Sequence, residues 1–297
     1  MIPQFPEFKK IDINDQEAVE SHTHRYPPYS DFEFGSLYAW DIDEAMKVSI
    51  HNGNLVIRFT DYVTKEPFYT FLGTKDVNET AQDLLRYSDE QGFKPVLKLI
   101  PETVANKLDL QRFTVSVDRD NFDYIYSTSH HSVYHGSEFK NLRNQLTMFL
   151  KRYLHHTVNK LELSDIVVCK EIRDLCKRWA DTRIITDSHD SLALERFIHK
   201  ASQFRYLAIG IKIDAQLIAF SITTLLSEKY GNCLFAKADI NFHGSYSILM
   251  NETSKALVNQ GYDYLNFEQD LGIPNMRRAK LSLNPINFLR KYQVRTA

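Results

Sequence analysis

Long apolar runs are missing from this sequence. The longest, "LIAFSITTLL" at 217–226, falls far short of the roughly 20 residues that a membrane-spanning helix needs. The opening "MIPQFPEFKK" has no apolar core of the kind a signal peptide carries, so a cytoplasmic chain is expected. Cysteine is scarce. Cys169, Cys176 and Cys233 stand at no metal-ligand or redox spacing and suit a reducing compartment as small buried apolar residues. The histidine pairs 130–131 and 155–156 lack further ligands at metal spacing, so no metal is expected. Acids are absent from Asn275 to Ala297, which holds six Lys or Arg, and Ser137 to Lys160 has five bases against one acid, Glu138. Two such basic segments in a chain of net charge −2 suit either phosphate binding or a solvated face.

What is present points to a folded globular protein: 297 residues, 43% of them hydrophobic and 25% charged, enough for one large domain or two. Strand runs flank Asn52-Gly53, a strong hairpin signal. "EPFYTFLG" continues them, residues 76–90 read as a helix, and "FKPVLKLIP" follows as a strand. The second half repeats this order. Helices at about 140–153, 167–180 and 190–200 precede "RYLAIGIKID", "QLIAFSITTLLSE" and "NCLFAKAD" as a meander. A helix "SYSILMNETSKALVNQG", the strand "YDYLNFEQDL", a short helix "PNMRRAKLS" and the strand "INFLRKYQV" complete it. The echo of "DEQGFKPVLKLIP" in "VNQGYDYLNFEQDLGIP" supports two copies of one α+β unit, with one large mixed sheet as the alternative. A meander followed by a helix-strand crossover is the layout of the GNAT acyltransferases. The expected fold is therefore two tandem GNAT-like domains, each a mixed, mostly antiparallel sheet flanked by helices: a degenerate one over 1–128 and one with the active cleft over 129–297.

Several segments match a known family. "FPEFKKIDINDQEAVESHTHRYPPYSDFEFGSLYAW", "DNFDYIYS", "GSEFKNLRN" and "NFEQDLGIPNMRRAKLSLNP" together resemble the bacterial phosphatidylglycerol lysyltransferase C-terminal domain family over almost the whole chain. That resemblance implies a tandem GNAT fold and aminoacyl transfer from aminoacyl-tRNA to a lipid, or in related proteins to a peptidoglycan precursor. Asn141 and Leu142 stand where the family carries basic residues, while Lys140, Arg143 and Asn144 remain. The family's multi-helix membrane domain has no counterpart in these residues.

Side-chain alternation suggests the chemistry. In "YDYLNFEQDL" read as a strand, Asn266, Glu268 and Asp270 share a face, and in "CLFAKAD" Lys237 and Asp239 do so. If the two strands are neighbours, these five residues converge on a site that binds an amine and assists its attack on an acyl ester, with Asp239, Glu268 and Asp270 as catalytic candidates. The other reading of such acids is a salt-bridge network. Arg277, Arg278 and Lys280, with Arg143 and Asn144, are candidates for the donor's phosphate, against a surface helix whose arginine pairs with Asp270. Gly244 and Ser245 open a helix where CoA-dependent enzymes hold a pyrophosphate; only one glycine is present, which tilts the reading away from CoA. "TDSHDS" at 186–191 sets Asp, Ser and His side by side, but catalytic triads assemble in space and not along the chain.

These observations give an acyl- or aminoacyl-transferase that takes an aminoacyl group from a phosphate-bearing donor, aminoacyl-tRNA, to a hydroxyl or amine. The alternatives are an acetyl-CoA-dependent N-acetyltransferase and a non-catalytic binding protein of the same fold. Expected partners are tRNA or CoA, and a lipid or cell-wall precursor touched from the periphery.

Overall fold

A computed structural model describes residues 1–61, 64–181, 188–226 and 229–297. The expected strand ends at Tyr62 and at Ser227–Glu228, and Thr186 and Asp187 of "TDSHDS", lie outside the described residues.

The elements, in chain order, are β1 (Lys9–Lys10), α1 (Gln16–Thr23), α2 (Phe34–Trp40), β2 (Lys47–His51), β3 (Asn54–Thr60), β4 (Pro67–Leu72), α3 (Val77–Glu90), β5 (Leu97–Pro101), α4 (Glu102–Ala105), β6 (Phe113–Val117) and β7 (Asp123–Ser127). Then come α5 (Thr128–Val133), α6 (Lys140–Arg152), β8 (Thr157–Lys160), α7 (Ile166–Asp181), α8 (Ser188–Lys200), β9 (Tyr206–Ile213), β10 (Gln216–Leu225) and β11 (Tyr230–Ala238). Last are α9 (Ser245–Asn259), β12 (Tyr264–Asn266), α10 (Pro274–Ser282), β13 (Asn287–Leu289) and β14 (Lys291–Thr296). Among the described residues they form two seven-stranded sheets, ordered β1-β2-β3-β4-β5-β14-β6 and β13-β7-β12-β11-β10-β9-β8. The fold is α+β, and the single-sheet alternative is excluded.

The same run builds each sheet. A three-strand antiparallel meander, β2-β3-β4 or β9-β10-β11, leads through a helix to a strand parallel to its last member. The first meander turns where expected, with Asn52 and Gly53 both at positive φ (52° and 75°), as a type I′ hairpin requires. In α3 the buried Val77, Ala81, Leu84, Leu85 and Ser88 recur at helical spacing on one face.

Each sheet is completed by a strand from the other half of the chain. β14, at the C-terminus, enters the first sheet between β5 and β6, antiparallel to both, while β7 pairs antiparallel with β12 in the second. The compact units follow this exchange: one comprises Met1–Asp123, Gln269–Met276 and Phe288–Ala297, the other Tyr124–Glu268 and Arg277–Asn287. The division is thus not one cut near 128. "INFLRKYQV", expected as one strand, is two strands in different sheets.

Within the first unit a buried ionic cluster holds the returning strand. The Lys291 ammonium, fully buried, donates to Asp123 Oδ1 at 2.7 Å and pairs with Asp31. Ser30 donates to Asp123 through its N–H (2.8 Å) and hydroxyl (2.7 Å). Burial disfavours the Lys291 charge, but Asp123 and Asp31 outweigh it and hold the ammonium above the usual lysine range.

Candidate active site in the second unit

β11 and β12 run parallel for three residue pairs, the last being Asn232 with Asn266. Beyond that pair β11 continues to Ala238, paired along β10, and among the described residues no ladder joins it to β12. Two parallel strands that part within a sheet leave a wedge walled by backbone N–H and C=O groups, which must be satisfied by something other than the sheet.

A bulge sets which side chains face this wedge. Against β10, Ile222 opposes Phe235 but Thr223 opposes Cys233, so Leu234 is the extra residue. Strict alternation puts Asn232 and Phe235 on opposite faces. The bulge brings Asn232 to the face of Phe235 and Lys237, which is covered by α7 and α8, and the Arg173 guanidinium ties those helices together with bonds of 2.6 and 2.7 Å to Glu195. Asn232 and Asn266 are both completely buried. The Asn266 Oδ1 accepts the Glu268 backbone N–H at 2.8 Å, and the Asn232 amide reaches Glu268 Oε1 at 3.4 Å. Glu268 is half-buried and sits at φ 55°, so the strand has already ended.

At the other end of the open edge the Lys237 ammonium donates to Asp190 Oδ2 at 2.5 Å and lies 3.6 Å from the ring centre of Trp179. Asp239 accepts both the backbone and side-chain N–H of Asn241 (3.0 and 2.9 Å), with Arg178 Nε 3.7 Å away. Five residues of extended chain separate Asn232 from Lys237, about 16 Å. The expected convergence is therefore not what is observed: Asn266 and Glu268 stand at one end of the open edge, Lys237 and Asp239 at the other. Asp270 belongs to the first unit, where its carboxylate accepts the Gly272 N–H at 2.9 Å and pairs with Arg119 at 3.3 Å. The salt-bridge reading describes it.

The basic candidates divide in the same way. Lys280 turns inward: it is buried, its ammonium donates to the Phe267 carbonyl and faces the Tyr124 and Phe267 rings. Its own carbonyl accepts from Tyr126 Oη at 2.8 Å. Arg277 is half-buried and Arg278 exposed. Arg143 donates to the Tyr134 and Gly136 carbonyls at 2.5 and 2.9 Å, which is scaffolding, and Asn144 is exposed. Gly244 caps α9 at φ 85°. A Cβ there would lie 2.7 Å from the Gln145 carbonyl oxygen, so close packing of α6 on α9 by itself demands glycine. The Ser245 hydroxyl donates to the Asp239 carbonyl at 3.0 Å.

Cys233 lies beside this site, but burial first, and the Glu268 charge second, push its thiol up to about 12. Burial likewise takes Cys176 up to about 11. Both are neutral thiols at physiological pH and unsuited to nucleophilic work. Among the described residues no group of three His, Cys, Asp or Glu is placed to hold a metal, and no helix is long and apolar enough to cross a membrane.

Asn232, Trp179 and Asp190 escaped the sequence reading. Asn232 is an isolated amide whose face depends on a bulge that no residue pattern announces. Asp190 lies within "TDSHDS", where its neighbours in sequence conceal its partner in space, Lys237.

A meander, a crossover helix and a parallel pair that parts, occurring twice, define a tandem GNAT-like fold. The chain belongs to the family described as phosphatidylglycerol lysyltransferase, C-terminal, whose model matches residues 23–295. Three solved structures share the architecture. A conserved protein of unknown function from Bacteroides thetaiotaomicron superposes with a TM-score of 0.85 at 22% identity, covering 100% of each chain. L-PGS from Bacillus licheniformis gives 0.63 at 12%, covering 99% of this chain and 93% of that one. A tandem GNAT protein from the clavulanic acid biosynthesis pathway gives 0.50 at 10%, covering 98% of each. At these identities the likeness is one of fold. A search of curated protein sequences found no match. Family and fold together point to a transferase of the GNAT-like acyl or aminoacyl type.

Proposed function

We propose that this chain is an aminoacyltransferase whose second unit takes an aminoacyl group from aminoacyl-tRNA and passes it to an amine or hydroxyl. The observation that supports this best is the parting of β11 from β12 directly at Asn232, Asn266 and Glu268. The edge of β11 beyond Asn232, which no ladder joins to β12 among the described residues, is where an extended acyl group would add as a strand does. Glu268 is an ionisable group held at the apex of the wedge by two buried amides. In this reading the acceptor attacks the ester carbonyl, its proton passes to the Glu268 carboxylate, and the same proton reaches the ribose oxygen as the C–O bond breaks. Arg278 and Arg277 take the donor's phosphates. Lys237, oriented by Asp190 and Trp179, lies at the far end of the same edge, with Asp239 shaping the turn that follows.

A CoA donor would instead use the start of α9 at Gly244 and Ser245. It is the weaker reading, because packing already accounts for the glycine and the Ser245 hydroxyl is engaged.

Thermal stabilisation by each donor tests the choice. A ligand that binds only the folded protein adds about 2.7 kcal/mol at a hundredfold excess over its Kd. A non-hydrolysable aminoacyl-tRNA analogue is expected to raise the melting temperature and CoA to leave it unchanged. Stabilisation by CoA alone overturns the proposal.

A further inference from the structure

Three of the four strands that end the two sheets are short or carry lysine. β1 has two residues, both lysine, β13 has three, and β8 has four and ends on Lys160. The fourth, β6 (Phe113–Val117), is the longest at five residues, and its sequence FTVSV holds no charge, proline or glycine. An end strand of that kind is a template for pairing with another chain.

The ladder to β14 shows which backbone groups of β6 face outward. β6 runs antiparallel to β14 with Val115 opposite Val294. The Asp118 N–H donates to the Lys291 carbonyl at 2.9 Å, and the Arg112 carbonyl accepts the Ala297 N–H at 3.0 Å. Bonded residues alternate along an antiparallel pair, so Thr114 and Ser116 also bond inward while Phe113, Val115 and Val117 turn outward. The Phe113 N–H is taken by the Asp109 carbonyl at 3.0 Å. This leaves the Phe113 carbonyl and both backbone groups of Val115 and Val117 on the edge, where no strand pairs among the described residues. Thr114, Ser116 and Val117 are exposed, Val117 at 63%, and Val115 is half-buried.

We propose that this edge is taken by β6 of a second copy of the chain, antiparallel about Val115. A two-fold axis through an outward-facing residue sets that residue against itself. About Val115, each Val115 N–H meets the other Val115 carbonyl, and each Val117 N–H meets the Phe113 carbonyl of the other copy. On one face Phe113 opposes Val117 and Val115 opposes Val115; on the other Thr114 opposes Ser116. Aromatic with β-branched and hydroxyl with hydroxyl are favourable partners across strands. Arg112 and Asp118 bracket the strand, so opposite charges approach at each end, although each also has a partner in its own chain, Glu79 at 3.1 Å and Asn121 at 3.0 Å. An unrelated strand would find the same backbone groups, but this match of side chains is one the strand makes with itself. One strand from each copy covers less than a standard interface, so the dimer is reversible. It lies in the first unit and does not depend on the transfer reaction.

Sedimentation of the intact chain over about a hundredfold range of concentration tests it. A monomer–dimer equilibrium is expected for wild type. Val117→Lys, which sets a lysine against Phe113 at both ends of the pairing, is expected to weaken the dimer at least about tenfold with an unchanged melting temperature. Val115→Lys and Val115→Glu each set like charges directly opposite and are expected to be monomeric alone, whereas an equal mixture of the two is expected to dimerise. Should the Val115 variants melt below wild type, Val117→Lys reads the same edge from an exposed position. A chain that stays monomeric throughout overturns the proposal, even if an unrelated extended peptide binds it. So does Val117→Lys dimerising as wild type does, or a mixture of folded Val115 variants no more dimeric than its components.

Discussion

Asn232 and Asn266 face each other across the last rung of the β11–β12 ladder, both fully buried, and the sheet divides immediately beyond them. Two amides at that point hold Glu268 from both sides, one through its backbone N–H and one through its carboxylate. The proposed site is therefore defined by where a ladder stops.

Glu268→Gln keeps the shape and the amide contacts but removes the proposed proton acceptor. Transfer is expected to fall by about 10²–10⁴ with the melting temperature nearly unchanged, since the side chain is only half-buried. A rate within a factor of two or three of wild type would remove Glu268 from the chemistry. Asp239→Asn, in contrast, disturbs the turn into α9 and should be read in stability.

Lys291→Met leaves Asp31 and Asp123 buried without their counter-charge. A cost of about 3–5 kcal/mol is expected, visible in the urea midpoint. The pH dependence has a definite sign. The folded-state pKa of Lys291 is raised, so its stabilisation is complete below the unfolded lysine value near 10.4. It is lost as pH rises through the folded value, because the unfolded chain sheds a proton that the folded chain keeps. Tyr29, pushed up to about 12 by burial, acts in the same direction. The variant should therefore lose less stability between pH 9 and pH 11 than wild type does, with the urea midpoint as the readout.

Gly244→Ala forces a side chain into a left-handed residue and against the Gln145 carbonyl. A loss of about 1–3 kcal/mol, present without any ligand, is expected in thermal melts. If stability is unaffected and only CoA binding changes, the glycine serves a phosphate and the packing explanation is wrong.

Arg278→Ala should weaken donor binding and reduce the slope of log affinity against log salt by about one per lost phosphate contact. Its exposure predicts an unchanged melting temperature. The double change with Arg277 should flatten the slope further. Unaltered salt dependence would assign both arginines to the scaffold.

Much of the fold was legible because local rules and global fold agree. Asn52-Gly53 requires a hairpin, the periodicity of 77–88 requires an amphipathic helix, and the repeated element order gives two like sheets. The site was less legible because it lies where regular structure ends. β12 stops at Asn266, and positive φ at Glu268 and Leu271 breaks the alternation on which the predicted row of Asn266, Glu268 and Asp270 depended. Lys280, read as a surface base, turns inward because a carbonyl and two aromatic rings receive its ammonium. The exchange of β7 and β14 could not be seen, since strand pairing over such separation leaves no mark in either strand's own sequence.

The most direct test is single-turnover exposure of the purified protein to tRNA charged with radiolabelled amino acids, with a panel of amine and hydroxyl acceptors, comparing wild type with Glu268→Gln and Asn232→Leu. The account predicts that label leaves the tRNA for an acceptor with wild type and that both variants, though folded, slow this step at least about a hundredfold. Label that stays on tRNA while acetyl-CoA is consumed instead, or transfer that proceeds equally in all three proteins, would contradict it.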